Sequence, residues 1–202
     1  MRLMDILREE QFFNGKGEND PAFSARDRIN RAPKSLGFVV LSPRISITPA
    51  GQALLTSKRK EEVFLRQMLK FQIPSPYHKP TAKAASFWVK PYLELLRLVR
   101  TMGTLKFDEL QIFGMQLTDW RNFENIVQKI EAFRIAKVEH QGSYKAFKAE
   151  YLRNELTRIF EERIMNGETQ TRESSDASLD KFLRTQSSNM RDYADACFRY
   201  LR

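Results

Sequence analysis

Cysteine is almost missing from this chain: Cys197 is the one thiol in 202 residues, which excludes an internal disulfide and any cysteine-based zinc site. The two histidines, His78 and His140, lie far apart with no cysteine beside them, so a structural metal is not expected. No apolar run approaches the ~20 residues needed to cross a bilayer. Asp5, Glu9 and Glu10 interrupt the place where an apolar leader would have to lie, and the chain is expected to be cytoplasmic with no membrane partner. Also lacking are a Gly-rich phosphate loop, a Gly-x-Ser-x-Gly elbow and a His-Glu-x-x-His helix. No Pro-Asp dipeptide occurs, so the acid and Glu/Asp-x-Lys pattern that holds Mg2+ in one large nuclease class is not recognised. The adjacent Glu161 and Glu162 sit between Arg158 and Arg163, where surface ion pairing accounts for them. No catalytic residue and no metal ligand is therefore expected in this chain.

What is present is a globular composition, 42% hydrophobic and 29% charged, with a basic balance of 34 Lys and Arg against 25 Asp and Glu. A pI near 9.7 favours an anionic partner, nucleic acid before membrane. Apolar residues recur at helical spacing in five stretches. These are Phe64, Leu65, Met68 and Leu69; Tyr92, Leu95, Leu96 and Val99; Phe123, Ile126, Val127 and Ile130; Leu152, Leu156, Ile159 and Phe160; and Met190, Tyr193, Ala194, Cys197 and Leu201.

One strand signal stands out, Phe38 to Leu41 and Ile45 to Ile47 about a Ser42-Pro43-Arg44 turn, which reads as a β-hairpin. Thr48-Pro49 then supplies an N-cap and a proline at the first helical position. Polar or proline-rich breaks at 14–21, 73–81 and 166–178 suggest three parts. The expected fold is mainly α: a winged-helix-like basic unit over 1–72, a helix-turn-helix-like unit over 73–140 turning at Gly103, and long C-terminal helices over 141–202. A polar, mobile connector is expected over 166–178, leaving the last helix to dock through Met190, Tyr193, Cys197 and Leu201.

Basic residues concentrate early. Between residues 26 and 60 lie Arg26, Arg28, Arg31, Lys34, Arg44, Lys58, Arg59 and Lys60 against one acid, Asp27. Arginine's planar fork suits phosphate and the guanine O6/N7 edge, and Asn30 has the donor and acceptor pair that matches adenine. Residues 25–31, helical and ahead of the hairpin, take the position of a recognition helix, with Arg44 at the wing tip. Arg66, Gln67 and Lys70 fall off the apolar stripe of the next helix, and Ser75, Tyr77 and His78 end a proline-stiffened segment able to donate to phosphates or base edges. Two rivals stand beside DNA binding: a helical scaffold or regulator whose basic face meets an acidic protein, and a nuclease whose metal site has no recognisable spacing.

Several blocks carry a family resemblance. Residues 25–39 (ARDRINRAPKSLGFV), 47–55 (ITPAGQALL), 62–78, 87–98 with its KPYLELLRL run, and Leu117-Thr118-Asp119 resemble successive blocks of the AlwI family, over roughly residues 22–140. The resemblance implies a prokaryotic type IIS restriction or nicking endonuclease, in which an N-terminal region recognises double-stranded DNA and a C-terminal domain cuts with Mg2+. On that reading this chain is the recognition portion, not an enzyme by itself. It needs no cofactor of its own, Mg2+ belonging to the cleavage domain, and its further partner is that domain or a second endonuclease subunit.

Overall fold

A computed structural model describes residues 33–41, 43–75, 87–171 and 176–201. The chain divides into two compact units, residues 1–84 and 85–202. Among the described residues the architecture is mostly helical with one small hairpin, as the sequence implies. Among the described residues, no helix is long and apolar enough to cross a membrane.

In the first unit, a helical turn at 33–35 leads through Gly37, whose φ of 74° is open to glycine at no steric cost, into strand β1 (Val39–Val40). It pairs antiparallel with β2 (Ser46–Ile47), Val39 opposite Ile47 and Val40 opposite Ser46. The chain passes directly into α1 (Pro49–Thr56) and then α2 (Lys60–Lys70). Thr48 makes the junction. Its hydroxyl accepts the Gly51 N–H at 3.0 Å and donates to the Gly37 carbonyl at 2.6 Å, while its N–H donates to the Phe38 carbonyl at 3.0 Å. The N-cap read from Thr48-Pro49 thus also bolts the helix to the hairpin. Under it lie Phe38 and Met68, both buried, with the Phe38 and Phe64 rings stacked at 6.1 Å.

The second unit opens with a backbone clasp. The Trp88 N–H donates to the Thr118 carbonyl at 2.8 Å and the Trp120 N–H donates to the Trp88 carbonyl at 3.0 Å, pairing Trp88 in parallel with Asp119. Val89 points inward and Trp88 outward. The helices follow as α3 (Pro91–Met102), α4 (Phe107–Ile112), α5 (Phe123–Glu139), α6 (Tyr144–Ile159), α7 (Glu161–Met165) and α8 (Leu179–Leu201). Leu98, Ile112, Phe113, Ile130, Phe133, Leu156 and Phe182 form the fully buried centre, one or two from each long element. Around Phe133, the rings of Phe113, Phe147 and Tyr151 stand 5.5, 5.4 and 4.9 Å away, at aromatic packing distances.

The stripe on α5 is buried as its spacing implies: Phe123, Ile126, Val127 and Ile130 all face inward. On α3 the buried face is Glu94, Leu95 and Leu98, whereas Leu96 and Val99 are exposed. The helix-turn-helix spacing is present, Gly103 turning at φ 71°. Yet α4 buries Glu109, Leu110, Gln111 and Ile112 in succession, so it presents no free face to a groove. Docking of α8 differs from expectation too. Phe182 and Leu183 in its first turns are buried along with Ala194, whereas Tyr193 is 69% exposed. Within 166–178, Thr169 is buried and its hydroxyl donates to the Ala177 carbonyl at 2.5 Å, while Arg163 donates to the Glu168 carbonyl.

Gly51 gives a direct test of the first unit. A Cβ there would lie 2.2 Å from the Phe38 carbonyl oxygen and 2.7 Å from Ile47 Cγ2. In an ordinary helix interior Gly→Ala stabilises by roughly 1 kcal/mol. Here the backbone oxygen cannot yield, so Gly51→Ala is expected to destabilise the unit by about 1–3 kcal/mol. Amide hydrogen exchange of the segment 38–70 measures it; slower exchange in the variant would contradict the close approach.

Candidate nucleic-acid interface

The first unit presents its cations on three local features. The hairpin turn carries Arg44, exposed. The link between α1 and α2 carries Lys58, Arg59 and Lys60, shaped by Ser57, whose N–H donates to the Ala53 carbonyl and whose hydroxyl accepts the Arg59 N–H at 3.0 Å. Arg66 and Lys70, four residues apart on α2, share an exposed helix face. Arg59 is held by Glu62, whereas Arg44, Lys58, Lys60, Arg66 and Lys70 have no side-chain partner among the described residues. Lys34 is half-buried in the turn before β1, Gln67 is half-buried beside Gly37, and Ser75 is buried. Arg26, Arg28, Asn30, Arg31, Tyr77 and His78 lie outside the described residues. The sequence reading passed over Ile45, 81% exposed beside Arg44; an aliphatic residue next to the turn arginine was the available signal.

The charge is unevenly shared. Residues 1–84 hold 15 of the 34 Lys and Arg and 8 of the 25 Asp and Glu, a net of +7. Residues 85–202 hold the remaining 19 and 17, a net of +2. In the second unit many cations are committed to carboxylates: Arg97 to Glu94, Arg121 to Asp119, Arg134 to Glu109, Lys148 to Asp108, Arg153 to Asp180 and Arg158 to Glu155. Lys90, Arg100, Lys145 and Arg191 remain unpaired there among the described residues.

Three of these pairs are structural. Glu109 is buried, its side chain 3% exposed, and Arg134 grips it with Nε at 2.7 Å and Nη2 at 3.0 Å while the Lys106 N–H donates at 2.8 Å. Burial raises the Glu109 pKa, but these hydrogen bonds and the guanidinium charge outweigh it, and the net shift is downward. Asp108 is shifted down in the same way: burial opposes, while Lys148 and the Tyr144 hydroxyl, donating at 2.6 Å, prevail. Glu155 accepts from Arg158 at 2.9 Å and from Gln116 at 3.0 Å, with Lys129 at 3.5 Å, and it too is lowered against the effect of burial. Each carboxylate is thus saturated by cations. Among the described residues no group of three or more His, Cys, Asp and Glu side chains is arranged to hold a metal ion.

A family model described as AlwI restriction endonuclease matches residues 34–202. The match places the chain among restriction endonucleases, enzymes that act on DNA. It belongs to the AlwI family. No curated protein sequence matches it. The family match corrects one expectation, that the chain is not an enzyme by itself: the enzyme family's model covers nearly the whole chain instead of its first portion. The expectation rested on the missing Pro-Asp dipeptide and on a resemblance read only over roughly residues 22–140, whereas the family model continues to residue 202.

Carboxylates held below their ordinary range contribute stability that is present above their unfolded values and lost as pH falls toward the folded ones. The urea midpoint of the second unit is therefore expected to be flat above about pH 5 and to fall once pH drops below roughly 4.3, the ordinary Glu value. Glu109→Gln should cost about 3 kcal/mol at neutral pH and shallow the acid fall. A midpoint that holds or rises from pH 6 to 3 would contradict the assignment.

Proposed function

We propose that this chain binds double-stranded DNA at a specific sequence, as a restriction endonuclease of the AlwI family, with its first unit as the contact surface. The observation that carries the reading is the set Arg44, Lys58, Lys60, Arg66 and Lys70, exposed and without a side-chain partner among the described residues, on the unit with the greater net charge. Leaving such cations without carboxylates costs nothing in water and makes each available to release counterions from a phosphate. Arg59 joins them by exchanging Glu62 for phosphate. The hairpin acts as a wing, and Arg26, Arg28, Asn30, Arg31 and Lys34 form the base-reading set, Asn30 on adenine and an arginine on guanine. Gln67, Ser75, Tyr77 and His78 are supporting contacts. An asymmetric site read by one unit is the type IIS mode, and Mg2+ would serve the cleavage step of such an enzyme. A second endonuclease subunit is a further proposed partner.

Anisotropy titrations of a labelled duplex at several salt concentrations test this. The logarithm of affinity should fall linearly with that of salt, and Lys60→Ala or Lys70→Ala should each lower the slope by about 0.9 and weaken all sequences alike. Arg28→Ala should cost about 1–3 kcal/mol on sites enriched from a randomised duplex library and relax base preference. Equal losses on enriched and random DNA would remove Arg28 from the reading set. No binding to any duplex at low salt would overturn the proposal in favour of an acidic protein partner.

A further inference from the structure

The hairpin tip carries more than charge. Ile45, just before β2, and Ile47 within it are two residues apart, the spacing that puts side chains on one side of an extended segment. Ile47, 55% exposed, is anchored by its Cγ2 against α1 at Gly51, while Ile45, nearer the turn, is 81% exposed. The apolar side chains therefore run from the helix toward the tip, where Arg44 stands exposed with no side-chain partner among the described residues. An aliphatic side chain projecting from a two-stranded ribbon, beside an exposed arginine on a unit of net charge +7, has the chemistry of a wedge for an anionic groove. Such side chains insert between base steps from the minor groove and kink the duplex, and arginine is drawn to that groove's negative potential.

We propose that the hairpin tip is a minor-groove wedge, Ile45 entering between adjacent base pairs while Arg44 lies along the groove, so that binding bends the DNA. This rests on the DNA reading above and adds a deformation step to it. Pyrimidine–purine steps, the easiest to unstack, are the favoured insertion points. Sequence preference then arises partly from deformability at a step where no hydrogen bond to a base edge is needed.

The test uses the full chain and a duplex of about 30 base pairs, a length that reports a bend. It carries a donor and acceptor at its ends and 2-aminopurine in place of adenine at a central TA step. At saturating protein the wild type is expected to raise energy transfer and 2-aminopurine emission together. Ile45→Ser should abolish both changes and weaken binding about tenfold, the scale of one aliphatic side chain left out of contact. Ile45→Leu should restore them, and circular dichroism checks that the variants fold. Wild-type binding with unchanged energy transfer and emission, or an Ile45→Ser variant that bends DNA as the wild type does, overturns the wedge and leaves the DNA reading standing. Absence of duplex binding at low salt overturns both.

Discussion

The second unit is organised around one buried charge. The Glu109 carboxylate lies in the core, where an ionised group without a partner would be costly, and Arg134 of α5 supplies the compensating fork. Because a bidentate pair fixes orientation as well as distance, it sets α4 against α5. The same guanidinium donates to the Thr104 carbonyl at 2.6 Å, and the carboxylate holds the Lys106 N–H, so the turn after α3 is drawn into the arrangement. From that fixed helix the other contacts radiate. Asp108 reaches Lys148 and Tyr144 on α6, Gln111 donates to the Ser187 carbonyl on α8, and Phe107 meets the Phe198 ring. A six-residue helix is marginal by itself; this one persists because every side of it is occupied.

Where signals were local, the sequence was readable. Thr48-Pro49 announces a helix start through chemistry contained in two residues, and the hairpin through alternation about a turn. The α5 stripe is readable because Phe123, Ile126, Val127 and Ile130 keep the spacing of one helix face, whereas Ile135 and Val138 further along the helix are exposed. On α3 the apolar residues occupy several faces, and the neighbours decide which is buried: Glu94 goes inside with Leu95 and Leu98, offset by Arg97 at 3.3 Å, leaving Leu96 and Val99 outside. No window of sequence contains that information. Burial of α4 was hidden for a related reason, since Glu109 and Gln111 read as solvent residues until their partners, 25 and 76 positions away, are known. The anchor residues Phe182 and Leu183 were obscured by the polar stretch preceding them.

For the interface, composition located the basic segment but not which cations are free. Arg59 and Lys60 are adjacent and indistinguishable by sequence, yet Glu62 engages the first and not the second. In the second unit, by contrast, Asp108, Glu109, Glu124, Glu155 and Asp180 each pair with a cation on another helix. Stability of one unit and charge availability on the other thus stem from how carboxylates are distributed along the chain.

The Trp88–Trp120 clasp has a spectroscopic consequence. The chain has two tryptophans, and both sit on this one parallel bridge, 66% and 49% exposed. Indole emission therefore comes wholly from the second unit, and residues 1–84 are dark in that channel. Since both rings already face water, their emission is red-shifted in the folded protein and shifts little further on unfolding. Indole intensity and lifetime then report the local parting of residues 88 and 118–120, and the melting of the basic unit is best followed through the backbone.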